Sequence, residues 1–193
     1  MISGLLSSAL AEEASTTKLE AWLARVEPDA ASAGVHELAE LVQEYLNGIP
    51  SALDGLVAMT KERPFGRSVA FAAGQVLLYL VDEEDLFSER EMGALGLLDD
   101  AFLIHGCLTA LCATFPELSL PPGYAPPSGR AAAAVRTLLP AGVPEALDRT
   151  CENLVRVAAT LYAPGGQRDP GPDPPRPTLR VGDALAILSS APR

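Results

Sequence analysis

The sequence predicts an all-α fold: a compact multi-helix bundle, followed by a Pro/Gly-rich linker and a short C-terminal helix. Three observations lead there. Alanine and leucine dominate, aromatic residues make up only 5% and β-branched residues are sparse, a balance that favours helix by intrinsic propensity. Apolar residues recur at steps of three and four through most of the chain, the period of a helix with one buried face. No clear stretch of strict apolar and polar alternation competes with that pattern. At 193 residues the chain can bury one sizeable core, so one domain over residues 1–162 is expected.

Taken in order, residues 3–14 could form a short helix. Thr17 and Glu20 then stand at capping-box spacing, where a threonine hydroxyl meets an amide and the glutamate reaches back. The helix they would open, from about Lys18 to Val26, places Leu19, Trp22, Leu23 and Val26 on one stripe, and Pro28 with Asp29 closes it. From Ser32 to Leu46, Val35, Leu38, Leu41, Val42 and Tyr45 repeat at helical spacing, with Glu37, Glu40 and Glu44 on a solvated acidic side. Asn47 and Gly48 suggest a left-handed stop, and Pro50 suits the first turn of a helix reaching Met59. Lys61 to Phe65 reads as a turn.

Gly66 to Val81 is strongly apolar, with Val69, Ala73, Val76, Leu77 and Leu80 assigned to one face and Ala70, Ala72 and Gly74 leaving room for a neighbour. After an acidic turn, Leu97, Ala101, Ile104, Leu108, Leu111 and Phe115 alternate steps of four and three, while Phe102, Leu103, Cys107 and Cys112 make the other sides apolar. A helix apolar on most sides belongs in the centre of a bundle. Residues 116–128 contain five prolines and read as an extended loop. Ala131 to Leu139 and Pro144 to Tyr162 resume the helical pattern, the latter through Leu147, Cys151, Leu154, Val155, Ala158 and Leu161. Residues 163–178 form the proline- and glycine-rich linker. Residues 179–193 carry Leu179, Val181, Leu185 and Leu188, a short amphipathic element on a tether, suited to docking on its own domain or on a partner, or to fraying.

The net charge of −11 is segregated: residues 1–130 hold 19 acids and 7 bases, and residues 131–193 hold 6 acids and 7 bases. Such a surface repels phosphate backbones and anionic lipid, which argues against nucleic acid and favours a neutral or cationic protein partner. The chain starts with no basic residue before its short apolar run and with acids soon after it, the wrong order for a secretory signal. Three cysteines, Cys107, Cys112 and Cys151, lie in apolar helical contexts without framework or CxxC spacing. A cytoplasmic location and buried thiols are expected. The longest uncharged run, Ala101 to Pro116, is shorter than the roughly 20 residues of a spanning helix, so membrane association is not expected.

The stretch from Tyr79 to Ile104 carries a family likeness. Tyr79, Asp85, Gly96, Asp99, Asp100 and Ala101 stand where the YkvA-like domain, a small bacterial helical domain of unknown function, has a Tyr ending an apolar helix, a turn with Pro-x-Asp and Pro-Asp, and a Gly-x-hydrophobic-Asp-Asp-Ala opening the next helix. The chain resembles that family over about residues 56–108. In the turn, VDEEDLFSE replaces the family's prolines with acids. The resemblance implies a helical core and no established activity.

Two chemical readings follow. Asp99 and Asp100 at a helix start meet free amides and the positive end of the macrodipole, an architectural role. Alternatively Asp85, Asp99 and Asp100, with Asp82 or Glu89, could supply the carboxylates of a divalent-cation site, although EF-hand spacing is absent. At about 100° per residue His105 lies roughly 140° from Asp100 and about 120° from Asp99 in the opposite sense, which excludes one shared face and favours a core or partly exposed histidine. His36 is expected at the surface. No hydrolase, metalloprotease, dinucleotide or P-loop motif occurs. The reading favoured is a non-enzymatic cytoplasmic interaction module, with a cation-dependent protein as the alternative.

Overall fold

The computed structural model describes residues 16–26, 32–62, 64–80 and 96–162. Seven α-helices stand among them: α1 Thr16–Val26, α2 Ser32–Asn47, α3 Ile49–Met59, α4 Gly66–Leu80, α5 Leu98–Thr114, α6 Gly129–Leu138 and α7 Val143–Tyr162. No strand occurs among the described residues, so the chain is an all-α bundle. The expected helix at 3–14, the acidic turn with Asp85, the linker 163–178 and the terminal segment with Leu179, Val181, Leu185 and Leu188 lie outside the described residues.

The bundle is built around α5. Ala101, Ile104, Cys107, Leu108 and Leu111 are sealed from solvent, and Leu98, Phe102 and Leu103 nearly so. Helices α2, α3, α4 and α7 pack on this one element, which explains why its sequence is apolar on most sides rather than along a stripe. Gly106 sets the spacing to α7: a Cβ there would stand 2.9 Å from Cys151 Sγ. The amphipathic α7 buries Leu147, Cys151, Leu154, Val155 and Ala158 while Glu152, Asn153 and Arg156 face outward.

Several local expectations are revised. Thr17 lies inside α1, which starts one residue earlier, and Thr16 Oγ1 donates to Gln43 Oε1 on α2 at 2.6 Å; a tertiary bond takes the place of the expected capping box. Gly48 is right-handed at φ −72°, ψ −20°, and α3 begins directly after it with Pro50 in its first turn. Its missing side chain serves close approach, since a Cβ would meet His105 Cε1 at 2.7 Å. The acidic side of α2 is less free than its pattern suggests. Glu37 pairs with Arg130, and Glu44 accepts from Ser128 N at 2.7 Å and Ser128 Oγ at 3.2 Å. Ser128 itself caps α6, its hydroxyl accepting from Ala131 N at 3.2 Å, so one acid on α2 fixes the start of α6.

On α4 the buried face is Ser68, Val69, Ala72, Ala73 and Val76. Leu77, about 80° around the helix from Val69 at 100° per residue, stays 43% exposed, and Ala70 and Gly74 look outward with nothing within 4 Å of a Cβ at Gly74. Ala72 alone of the three small residues lies against a neighbour, whereas Ala70 and Gly74 leave an open face among the described residues. Among those residues, no helix is long and apolar enough to cross a membrane.

Candidate functional site

Asp99 and Asp100 stand in the first turn of α5, and both are buried, at 0% and 2% exposure. Tyr79 near the end of α4 donates its hydroxyl to Asp99 Oδ2 at 2.8 Å. The hydrogen bond joins two helices across a sequence gap of 20 residues, and the N-terminal turn of α5 favours the carboxylates through its dipole. Asp85 lies outside the described residues. Among the described residues no group of three or more His, Cys, Asp or Glu side chains is placed to hold a metal ion.

His105, one turn further along α5, is 5% exposed and bound on both ring nitrogens. Nε2 lies 3.0 Å from the Tyr45 carbonyl oxygen, which can only accept, so Nε2 carries the proton. Nδ1 then accepts from the Tyr124 hydroxyl at 2.8 Å. Burial holds the imidazole pKa below its ordinary value, against the raising effect of the Tyr45 carbonyl, which agrees with a neutral ring. Tyr45 meets the ring edge-on at 4.8 Å and Tyr124 stacks at 5.8 Å. With both nitrogens occupied, the histidine pins α2, α5 and the loop after α5 to one another.

That loop is shaped for the purpose. Tyr124 N donates to Pro121 O at 3.1 Å, with Pro122 and Gly123 between them and Gly123 at φ +86°, the residue pattern of a type II turn. Burial, and then Cys112, push the Tyr124 phenol up to about 12, so it remains a donor to His105. Gly55 admits the same loop, since a Cβ there would stand 2.6 Å from Pro121 Cγ. The Pro-Pro-Gly-Tyr run was the sequence signal for this turn; its partners, 19 and 60 residues from His105 or its carbonyl acceptor, carried none.

Above the histidine opens a cleft of about 460 Å³. Phe102, Ala110, Pro126 and Pro127 supply apolar wall, and Tyr45, Tyr124, Arg136, Asp148 and Glu152 supply polar groups. Arg136 lies over the Phe102 ring at 5.4 Å and donates to Asp148 Oδ2 at 2.7 Å, with Glu145 Oε1 at 3.4 Å. The two carboxylates thus engage the cleft's one cation among the described residues. None of these residues except His105 was singled out as a candidate for chemistry from the sequence.

A second surface is the outer face of α4. Leu78 is 61% exposed and Leu77 43%, with Ala70 and Gly74 continuing the same side toward the helix start. His36 is exposed as expected and forms ion pairs with Glu20 and Glu40. Cys107 and Cys151 are buried free thiols, whereas Cys112 is only partly covered.

Comparison with protein-family models, with curated proteins and with solved structures found no match to this chain. The fold and its surfaces define an all-α bundle, and the functional reading rests on them.

Proposed function

We propose that the chain is a non-enzymatic, cytoplasmic, YkvA-like interaction module that binds a protein partner through the outer face of α4, with the tethered terminal segment as a second contact. The observation that carries this is the pair Leu77 and Leu78, left open beside Gly74 on a strongly acidic chain. Together they leave about one leucine side chain of apolar surface in water, whose burial is worth ~1.5–3 kcal/mol, roughly tenfold to a hundredfold in affinity. An amphipathic helix that lays an apolar stripe on the two leucines fits this face, on which α4 carries no acid and one exposed base, Arg67. Residues 179–190 carry Leu179, Val181, Leu185 and Leu188 at helical spacing and are net neutral, Arg180 being balanced by Asp183, so the same apolar face suits docking in cis. The Tyr79–Asp99 bond supports the YkvA-like reading because it joins two of the residues that carry the likeness.

The test compares partner capture by the full chain, by Leu77→Asp with Leu78→Asp, by deletion of 163–193, and by neutralisation of the exposed acids. Leu78 is 61% exposed whereas Leu77 is more than half covered, and acids oppose the dipole at a helix C-terminus. The double variant should therefore lower the thermal midpoint modestly and Leu78→Gln alone should leave it nearly unchanged, while capture falls in both. Capture unaffected by all three changes would remove the reading. Calorimetry with Mg²⁺, Mn²⁺, Ca²⁺ and Zn²⁺ separates the cation alternative: binding abolished by Asp99→Asn in a folded protein would put Asp85, Asp99 and Asp100 in its place.

A further inference from the structure

The cleft over His105 is independent of the α4 surface and has the composition of a small-molecule site. Its volume falls within the range of about 300–1,000 Å³ typical of such sites, and its walls are mainly apolar and aromatic. The informative group is Tyr45. Its side chain lines the cleft at 4% exposure, yet its hydroxyl makes no hydrogen bond among the described residues. The hydroxyl oxygen is not sealed from solvent; it opens to the cleft, where a ligand acceptor can meet it in place of water.

Charge selects the ligand. His105 is neutral, and Arg136 is engaged by Asp148 and Glu145. Glu152 lines the cleft and is exposed, with no cationic partner among the described residues. The lining therefore carries two carboxylates against one guanidinium, inside a chain of net charge −11. Tyr45 and Tyr124 supply aromatic lining of the kind that accepts a cation's apolar body and, face-on, its charge, whereas the Phe102 ring is already covered by Arg136. We propose that this cleft binds a small amphiphilic amine: an apolar or aromatic body against Ala110 and the prolines, an ammonium group toward Glu152, and an acceptor oxygen meeting the Tyr45 hydroxyl. Only a ligand with both polar ends uses both unpaired groups.

The test is titration of the full chain, followed by amide NMR shifts, with three probes of one shape: tyramine, neutral 4-ethylphenol and anionic 3-(4-hydroxyphenyl)propionate. The affinity order should be amine, then neutral, then carboxylate. Glu152 is exposed, so Glu152→Gln should fold normally and weaken tyramine by about threefold, the size expected of a solvent-accessible ion pair, without changing 4-ethylphenol. Tyr45→Phe keeps the ring and its packing and should weaken tyramine and 4-ethylphenol alike, since each meets Tyr45 through its phenol oxygen. Equal binding of all three probes, preference for the carboxylate, tyramine binding indifferent to Glu152→Gln, or no shifts up to about 10 mM would each overturn the assignment.

Discussion

Replacing Gly48 by alanine gives the sharpest test of how the bundle is closed. At φ −72° and ψ −20° alanine is conformationally at home, and restricting the unfolded chain alone would stabilise by about 0.4–1 kcal/mol. Contact reverses the sign. The new methyl would sit 2.7 Å from His105 Cε1 and 3.1 Å from Nε2, so the ring must retreat by roughly 0.7 Å to regain ordinary contact. It is not free to do so, because Nε2 holds the Tyr45 carbonyl at 3.0 Å and Nδ1 the Tyr124 hydroxyl at 2.8 Å. Overpacking costs ~1–3 kcal/mol and a weakened hydrogen bond ~0.5–1.5 kcal/mol, against the backbone gain. A net loss of about 1–3 kcal/mol is expected, read as a fall of about 0.5–1.5 M in the urea midpoint at unchanged slope. Gly74→Ala, in a helix interior with nothing within 4 Å, should instead stabilise by about 0.5–1 kcal/mol. In a His105→Ala background the clash is gone, so Gly48→Ala should no longer destabilise, giving a coupling of at least about 1 kcal/mol. Equal signs for the two glycines, or a cost that survives His105→Ala, would refute the account.

Three further outcomes follow from other parts of the molecule. The His36 pKa is raised above its ordinary value, first by the hydrogen bond to Glu20 and then by Glu40; its stabilisation is therefore full below the unfolded value and lost as pH rises through the folded one. Urea midpoints across that window should fall more steeply for wild type than for His36→Gln. A thiol reagent added to the native protein should modify Cys112 first, because Cys107 is buried with its pKa pushed up to about 12 and burial raises Cys151 as well; prompt reaction of all three would contradict the packing of α5 on α7. Tyr79→Phe removes the donor to Asp99 Oδ2 and should cost ~1–3 kcal/mol, the penalty for stripping a partner from a buried acceptor, measured by urea unfolding.

Most of the helices were legible because their burial repeats along the sequence. The stripe Leu147, Cys151, Leu154, Val155 and Ala158 is buried as its spacing requires, and α5 is central as its all-round apolarity requires. Misreadings fell where a distant contact overrode a local rule. Gly48 resembles a helix stop, but its role is set by a histidine 57 positions away in the chain. Thr16 gives its hydroxyl to Gln43 across a helix interface, which no capping pattern records. Leu77 was placed on the buried face because it fits the apolar run, and the error is one of angle rather than of period. The cleft was illegible for a stronger reason: Tyr45, Arg136 and Asp148 come from three different helices and meet only when α2, α6 and α7 pack beside α5.

The paired aspartates connect these levels. Burying two carboxylates is costly unless charge and hydrogen bonding compensate, and their position in the first turn of α5 supplies a favourable dipole. Tyr79 supplies part of the hydrogen bonding for Asp99 and in doing so ties the last turn of α4 to the central helix. Leu77 and Leu78 immediately precede that tyrosine and point the other way, into solvent. A docking face gains affinity when it is ordered before the partner arrives, since less freedom is then lost on binding. In the proposed function, therefore, Asp99 acts through position: it anchors the inner side of the turn whose outer side presents the two leucines. Loosening that anchor by Tyr79→Phe should weaken partner capture without altering any group the partner touches, an outcome that a cation site at the same carboxylates does not require.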